Sequence, residues 1–271
     1  MTWAEKENTA TQYARMYEEY PDKEVYNGEV ILYLNTMCLT ILYIGKDVKT
    51  ISSGADVLNK RNIDFLHKLS NNRVDIIEPQ KISRLQKLLS CRLNGYTKRV
   101  EKRILNQLSQ KRYTHVFLSQ SLLGFVAKAI KRHYPNICII CCFHNIEKHF
   151  GREMLRVNGI RVLPFYFKAC YSEKLIAKYC DKFLFLNKRD AQRMSCSASI
   201  GCIIPIAYAD TFNPNKVISP QLQKKETLEI LFVGSDFFAN IEGIRWFIKY
   251  VFPYISGHLT IVGKGMDRYK G

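Results

Sequence analysis

The sequence predicts an α/β fold: a doubly wound parallel sheet, followed by the opening β-α-β unit of a second domain of the same kind. Three observations carry this. From Leu39 onward, short apolar segments alternate with helical ones. Several of the apolar segments, VFLS, ICIICCF and FLFL, are apolar on both faces, as strands covered by helices on each side must be. Residues 228–271 then run as strand, glycine turn, helix and strand, the first unit of a doubly wound domain.

Taken in order, the first strand spans Leu39–Ile44, a glycine-containing loop leads to Ala55, and a helix covers Asp56–Leu69. Leu58, Asn62, Phe65, Leu66 and Leu69 fall on one face of that helix, four of the five apolar, the pattern of a helix laid on a sheet. Further strands are expected at Val74–Ile77, His115–Ser119, Ile137–Phe143, Lys182–Leu186 and Cys202–Ile206, most of them separated by helical stretches. The polar, proline-containing stretch TFNPNKVISPQLQKKET breaks this rhythm and reads as a linker over 208–227. Beyond it come a strand at Glu229–Val233, the turn Gly234-Ser235, a helix at Asn240–Ile255, a strand at Leu259–Val262 and Gly263-Lys264-Gly265. One such unit cannot bury both faces of its own sheet, so the chain reads as a fragment of a two-domain protein. The expected domains are 37–207 and 228–271. Residues 1–36 form a leader outside this plan: either Met37, directly before the first strand, is the functional start, or the leader is an add-on.

With 47% hydrophobic and 24% charged residues, the 271-residue chain has the composition of a folded protein. Its net charge of +17 is uneven: residues 1–36 hold three basic and seven acidic side chains, so the remainder carries +21. The densest stretch, Lys81 to Arg112, has ten Lys or Arg against the single acid Glu101. It reads either as solvated helix faces or as a surface for anionic headgroups or nucleic acid. Lys98, Arg99, Lys102 and Arg103 are the candidate membrane-surface patch. Aromatic residues barely interleave with these charges, which disfavours base stacking, and no nucleic-acid motif is present.

Nine cysteines, an odd number, sit mostly in apolar settings, as reduced buried thiols do. Cys138 and Cys141 make a CxxC, but residues three apart on a strand point to opposite faces, and no second ligand pair exists. No metal and no cofactor is expected, and the expected compartment is the cytoplasm. The apolar segment Val30–Ile44 is too short and too polar to span a bilayer, and the acidic residues before it do not suit a signal peptide.

Ligands of parallel sheets bind beyond the carboxyl ends of the strands, and four loops qualify. In the first, Ser52, Ser53 and Gly54 precede a helix whose N-terminus offers backbone N–H groups to an anion; the alternative is a simple capped turn. In the second, FHNIE, a histidine, an amide and a carboxylate (His144, Asn145, Glu147) offer a proton carrier, a sugar-hydroxyl partner and an acceptor; the alternative has Asn145 capping the next helix and His144 packing. In the third, Asn187 reads as a helix cap. The fourth is the Gly234-Ser235 turn, placed for a phosphate by the helix after it. Neither glycine turn has the GxGxxG spacing of nicotinamide enzymes.

Together SSGADVLNKRN, FHNIE, LNKRDAQRM and LEILFVGSDFFANIEGIRWFIKYVFPYISGHLTIVGKG resemble the GT-B glycosyltransferases of the retaining group 4, from about Leu39 to the end. The resemblance implies two Rossmann-like domains across a cleft, the first holding the acceptor and the second a nucleotide-sugar donor. It implies that Ser53 and Gly54 lie near the donor diphosphate, that His144 contacts the donor sugar, and that Gly234 and Ser235 line the nucleotide side. It implies no metal, because cationic groups and helix dipoles stabilise the leaving diphosphate. Two departures stand out. Ser235 and ANIEG replace the arginine and lysine that clamp the diphosphate, and the paired glutamates that grip sugar and ribose are not found in these residues. The expectation is a glycosyltransferase of cell-surface polysaccharide synthesis, peripheral at the membrane, whose 271 residues alone are inactive. A non-catalytic acceptor-binding half completed by a second polypeptide is the alternative.

Overall fold

The computed structural model describes residues 39–83, 94–194, 201–205 and 227–269. The leader, Met37, the linker up to residue 226 and Cys38, Cys91 and Cys196 lie outside them. The chain divides into two compact units, Met1–Ala207 and Tyr208–Gly271.

The first unit is a six-stranded sheet, parallel throughout: β1 (Ile41–Ile44), β2 (Val74–Ile77), β3 (His115–Leu118), β4 (Cys138–Phe143), β5 (Lys182–Phe185) and β6 (Gly201–Ile203), in the spatial order β2-β1-β3-β4-β5-β6. All six lie where the sequence places strands: β2 has the predicted bounds, β1, β3, β4 and β5 are trimmed by one or two residues, and β6 begins one residue early and ends at Ile203, the predicted end Ile206 falling outside the described residues. Among the described residues the α-helices of this unit are α1 (Gly54–Leu69), α2 (Lys98–Gln110), α3 (Gly124–His133), α4 (Glu147–Asn158), α5 (Leu163–Tyr179) and α6 (Lys188–Arg193).

Strand alternation divides the core in two. Leu42, Ile44, Val116, Leu118, Ile139, Cys141 and Phe143 point to one face, where Val100, Ile104 and Leu108 of α2, Val126 and Ile130 of α3 and Ile176 of α5 cover them. Ile41, Tyr43, Phe117 and Cys142 point to the other, under Ile63 and Leu66 of α1. The neighbouring thiols Cys141 and Cys142 thus belong to different cores, as a period of two requires. The predicted face of α1 needs one correction: Phe65 is 53% exposed, and Ile63 takes its place in the core. At 100° per residue Phe65 sits at the rim of a stripe centred on Asn59, Asn62, Ile63 and Leu66.

The second unit pairs β7 (Leu228–Val233) in parallel with β8 (Gly257–Val262), crossed by α7 (Phe238–Tyr250). Ile241 and Ile244 pack with Phe232, Leu259 and Ile261 on one face. On the other, Leu231, Val233 and Val262 are 64%, 71% and 49% exposed. The helix is shorter than the predicted Asn240–Ile255, ending at Tyr250 and giving way to a short tight turn at Phe252–Tyr254. Pro253 is the cause, since it has no N–H to continue the ladder. Among the described residues no helix is long and apolar enough to cross a membrane.

Candidate functional site

The chain leaves β1 for β2 on one side and later returns to lay β3 on the other, so the strand order reverses between β1 and β3. Doubly wound sheets open their ligand crevice at that reversal, outside the carboxyl ends of the strands. Gly45 follows β1 there, and Ser119 follows β3. A Cβ on Gly45 would stand 2.6 Å from the Ser119 Cβ and Oγ and 2.6 Å from the Tyr43 ring. Only glycine fits this approach. Because Ser119 and Tyr43 are buried, Gly45→Ala is expected to cost about 2 kcal/mol through overpacking, read as a lowered thermal midpoint; an unchanged midpoint would show that the switch point yields freely.

The first loop is held by a buried carboxylate. Asp56, in the first turn of α1, accepts from Lys46 Nζ at 2.6 Å, from Ser52 Oγ at 2.6 Å and from Ser52 N at 3.0 Å. Burial alone would raise its pKa, but these bonds and one from Ser53 outweigh it and hold the carboxyl well below the usual range. Ser53 is the N-cap, its Oγ accepting from Asp56 N at 3.2 Å. Gly54 opens α1 in the open: a Cβ there would meet nothing within 4 Å. Ser53 and Gly54 are therefore exposed at the start of the helix, where α1 directs the positive end of its dipole.

His144 and Asn145 follow β4. Asn145 is exposed and caps nothing: α4 begins after Ile146 with no side-chain cap. The acceptor for the orphan N–H groups comes instead from Glu173 in the middle of α5. Its Oε1 accepts from Glu147 N at 2.6 Å and from Ser121 Oγ at 3.4 Å, and its Oε2 from Lys148 N at 3.4 Å. The adjacent Ser172 Oγ accepts from Gly124 N at 2.9 Å and donates to Ser121 O at 3.0 Å. One buried dipeptide of α5 thus ties together the loops after β3 and β4. Glu147 itself turns inward, 8% exposed. Burial, and then the nearby Glu173 carboxyl, push its pKa up to about 7.

His144 is driven the opposite way. Burial, and then the Arg61 guanidinium, depress its pKa to about 4, against a smaller pull from the Ser119 backbone. The ring is neutral at physiological pH. Among the described residues its Nε2 is buried and has no hydrogen-bond partner, an arrangement native interiors rarely leave unexplained. Arg61 projects from α1 and donates to the Pro205 carbonyl at 2.7 Å and to Asn62 Oδ1 at 3.0 Å. It sets a cation beside the histidine while bridging to the chain beyond β6.

Elsewhere, Asn187 caps α6 as the sequence suggests, accepting from Asp190 N at 2.9 Å. Lys98, Arg99, Lys102 and Arg103 lie exposed along the first half of α2, with Arg103 donating to the Glu78 carbonyl at 2.9 Å. In the second unit, Gly234 N donates to Val262 O at 2.9 Å, and Asn240 Nδ2 donates to Ser235 O at 3.0 Å. Gly263 sits at φ 154°, where a Cβ would strike the Gly234 carbonyl at 1.7 Å, so the two glycine turns require each other. Among the described residues there is no group of three His, Cys, Asp or Glu arranged to hold a metal. Gly45, Ser119, Arg61 and Glu173 are the members that sequence reading missed. Gly45 directly follows the first strand and was findable, whereas the other three owe their place to tertiary contacts.

No family model and no curated protein matches the chain. Among solved structures it is similar to the apo form of the lipopolysaccharide outer core galactosyltransferase WaaB, with a TM-score of 0.53 and 14% identity over 84% of this chain and 62% of that one. It is also similar to Anabaena HepE in complex with UDP and glucose, with a TM-score of 0.45 and 11% identity over 82% of this chain and 69% of that one. The chain spans less than two thirds of the length of the galactosyltransferase, and at these identities what is shared is the fold: Rossmann-like α/β units of the GT-B type.

Proposed function

We propose that this chain is the acceptor-side domain and the opening of the donor domain of a retaining group 4 glycosyltransferase. Such an enzyme moves a sugar from a nucleotide-sugar donor to a glycan or lipid-linked acceptor in cell-surface polysaccharide synthesis. The observation that carries the reading is His144: a neutral imidazole at the carboxyl end of β4, whose buried Nε2 has no partner among the described residues. A neutral ring can hydrogen-bond a sugar hydroxyl without adding charge, which suits a donor-sugar contact. In this reading the exposed start of α1 at Ser53 and Gly54 faces the diphosphate, with Arg61 as a nearby cation, and charge leaving with the nucleotide is stabilised without a metal. Asn145 contacts a sugar or acceptor hydroxyl, and Glu147 is turned inward, its backbone N–H bonded to Glu173. Gly234 and Ser235 line the nucleotide side, and the cations of α2 rest on an anionic membrane surface.

We further propose that the 271 residues alone do not turn over. A two-stranded sheet with Leu231, Val233 and Val262 exposed on one face is half of a packing layer. The same face supports the alternative of an acceptor-binding half completed by a second polypeptide. Titration with a panel of nucleotide sugars tests both statements. The expected result is weak binding, on the order of millimolar, with the sugar-dependent part lost in His144→Ala. Efficient sugar transfer by the isolated chain would contradict the inactivity, and no response to any donor would contradict the site.

A further inference from the structure

The basic helix α2 borders a recess that the crevice around His144 does not include. Gln80, which follows β2, and Arg99, Val100, Lys102, Arg103 and Asn106 of α2 line a cavity of about 460 Å³, within the size range of small-ligand pockets. Arg99, Lys102, Arg103 and Asn106 stand at positions i, i+3, i+4 and i+7, so they share one helix face. Val100, itself buried, is the apolar member of the lining. Like charges at these intervals repel and weaken a helix, a cost that an anion in the cavity would relieve.

Local contacts place the cavity at the carboxyl edge of the sheet. Gln80 N donates to Gly95 O at 3.0 Å. Gly95 sits at φ 79°, where a Cβ would strike the Gln80 carbonyl, so the turn entering α2 is seated directly on the chain leaving β2. Thr97 then caps α2, its Oγ1 accepting from Val100 N at 3.4 Å. β1 and β3 separate β2 from β4, three strand spacings or roughly 14 Å. The cavity and His144 therefore lie along the same edge, the one where parallel sheets bind ligands.

Charge and lining select the ligand. Among the described residues neither Arg99 nor Lys102 has an acidic partner. Arg103 donates to the carbonyl of Glu78 at 2.9 Å, while the Glu78 carboxylate accepts from Asp47 N at 2.9 Å. Three cations in a recess call for an anion, and guanidinium groups take carboxylates and phosphates in bidentate fashion. The amides of Gln80 and Asn106 add donors and acceptors for hydroxyl groups. Among the described residues no aromatic side chain lines the cavity, so a nucleobase has nothing to stack on, and an inorganic anion would leave most of the volume empty. A planar bilayer meets the rim of a recess rather than its lining, and Lys98 lies outside it. We infer that the cavity is a subsite for an acidic saccharide, its carboxylate or phosphate held by Arg99, Lys102 and Arg103 and its hydroxyls by Gln80 and Asn106. The inference rests on the acceptor-side reading above and gives it a substrate class: an oligosaccharide acceptor whose charged unit sits beyond β2 while its reacting end reaches the crevice.

Titration of the full chain at low salt with trigalacturonate, and with the same trimer methyl-esterified and so uncharged, tests it. The acid is expected to bind with a Kd on the order of millimolar, and the ester not to bind. The double variant Arg99→Gln, Lys102→Gln should weaken the acid about tenfold with a thermal midpoint no lower than that of wild type. Equal binding of acid and ester, an unchanged affinity in the double variant, or displacement of the acid by equimolar inorganic phosphate overturns the inference. So does a double variant that loses phosphatidylglycerol vesicles but keeps the acid. The acceptor-side reading has a separate readout, the response to nucleotide sugars that His144→Ala removes. If that response is present and trigalacturonate does not bind, the subsite alone is wrong; the reverse pattern contradicts the acceptor reading and keeps the cavity as an acidic-sugar site.

Discussion

Replacing Glu173 by Ala is expected to destabilise the first unit by about 3 kcal/mol, the largest effect of any exchange near the crevice that leaves its exposed groups intact. The carboxylate accepts from two first-turn N–H groups of α4 and from Ser121 Oγ. Without it the Glu147 N–H, whose residue is buried, has no protein acceptor, and a stranded buried donor costs about 1 to 3 kcal/mol. Part of this is offset, because burial raises the pKa of Glu173 and the alanine is relieved of that penalty. Glu173→Gln keeps an acceptor oxygen and should lose only about 1 kcal/mol. Chemical denaturation followed by near-ultraviolet circular dichroism, with hydrogen exchange of the Glu147 and Lys148 amides, reads the difference. Equal stability of the alanine and wild-type chains would mean that α4 caps itself, and the account of how this loop is held would be wrong.

The second large effect is a dependence of stability on pH that is hidden in the wild-type chain. Glu147 has a native pKa raised from 4.5 to about 7. Its contribution is therefore full below about 4.5 and is lost as pH rises through 7. His144 has a native pKa lowered from 6.5 to about 4, so its contribution is full above 6.5 and is lost as pH falls toward 4. Between about 4.5 and 6.5 the two slopes oppose each other. Glu147→Gln removes one of them. At pH values above 7 the variant should be more stable than wild type by about 3 kcal/mol, with the gain vanishing toward pH 4.5. Denaturation midpoints of both chains across that range test this; a constant difference would show that Glu147 is not a buried proton carrier.

Most of the architecture was legible in the sequence because its signals are local. Runs apolar on both faces gave the strands, Asn187 announced a helix start by its capping chemistry, and Phe143-His144-Asn145 marked a strand end. The errors have the same origin in reverse. Phe65 matched the helical period but sits at the rim of the buried stripe, and Pro253 shortened a helix whose apolar pattern continued past it. The alternative that Asn145 caps the next helix does not hold, because the acceptor is supplied by Glu173, 26 residues from the Glu147 it bonds. The pairing of Gly45 with Ser119 and of Arg61 with His144 depends on strand order, which no local window contains.

The central claim is that a neutral His144 at the carboxyl end of β4 faces a nucleotide sugar. Nuclear magnetic resonance of the histidine Cε1–H signals, with His144 assigned by its substitution, observes that ring directly during a pH titration and then during addition of nucleotide sugars. The account predicts a signal that titrates near pH 4 and shifts with nucleotide sugar but not with nucleotide alone. A ring that titrates near 6.5, like an exposed histidine, and is indifferent to every donor would contradict it.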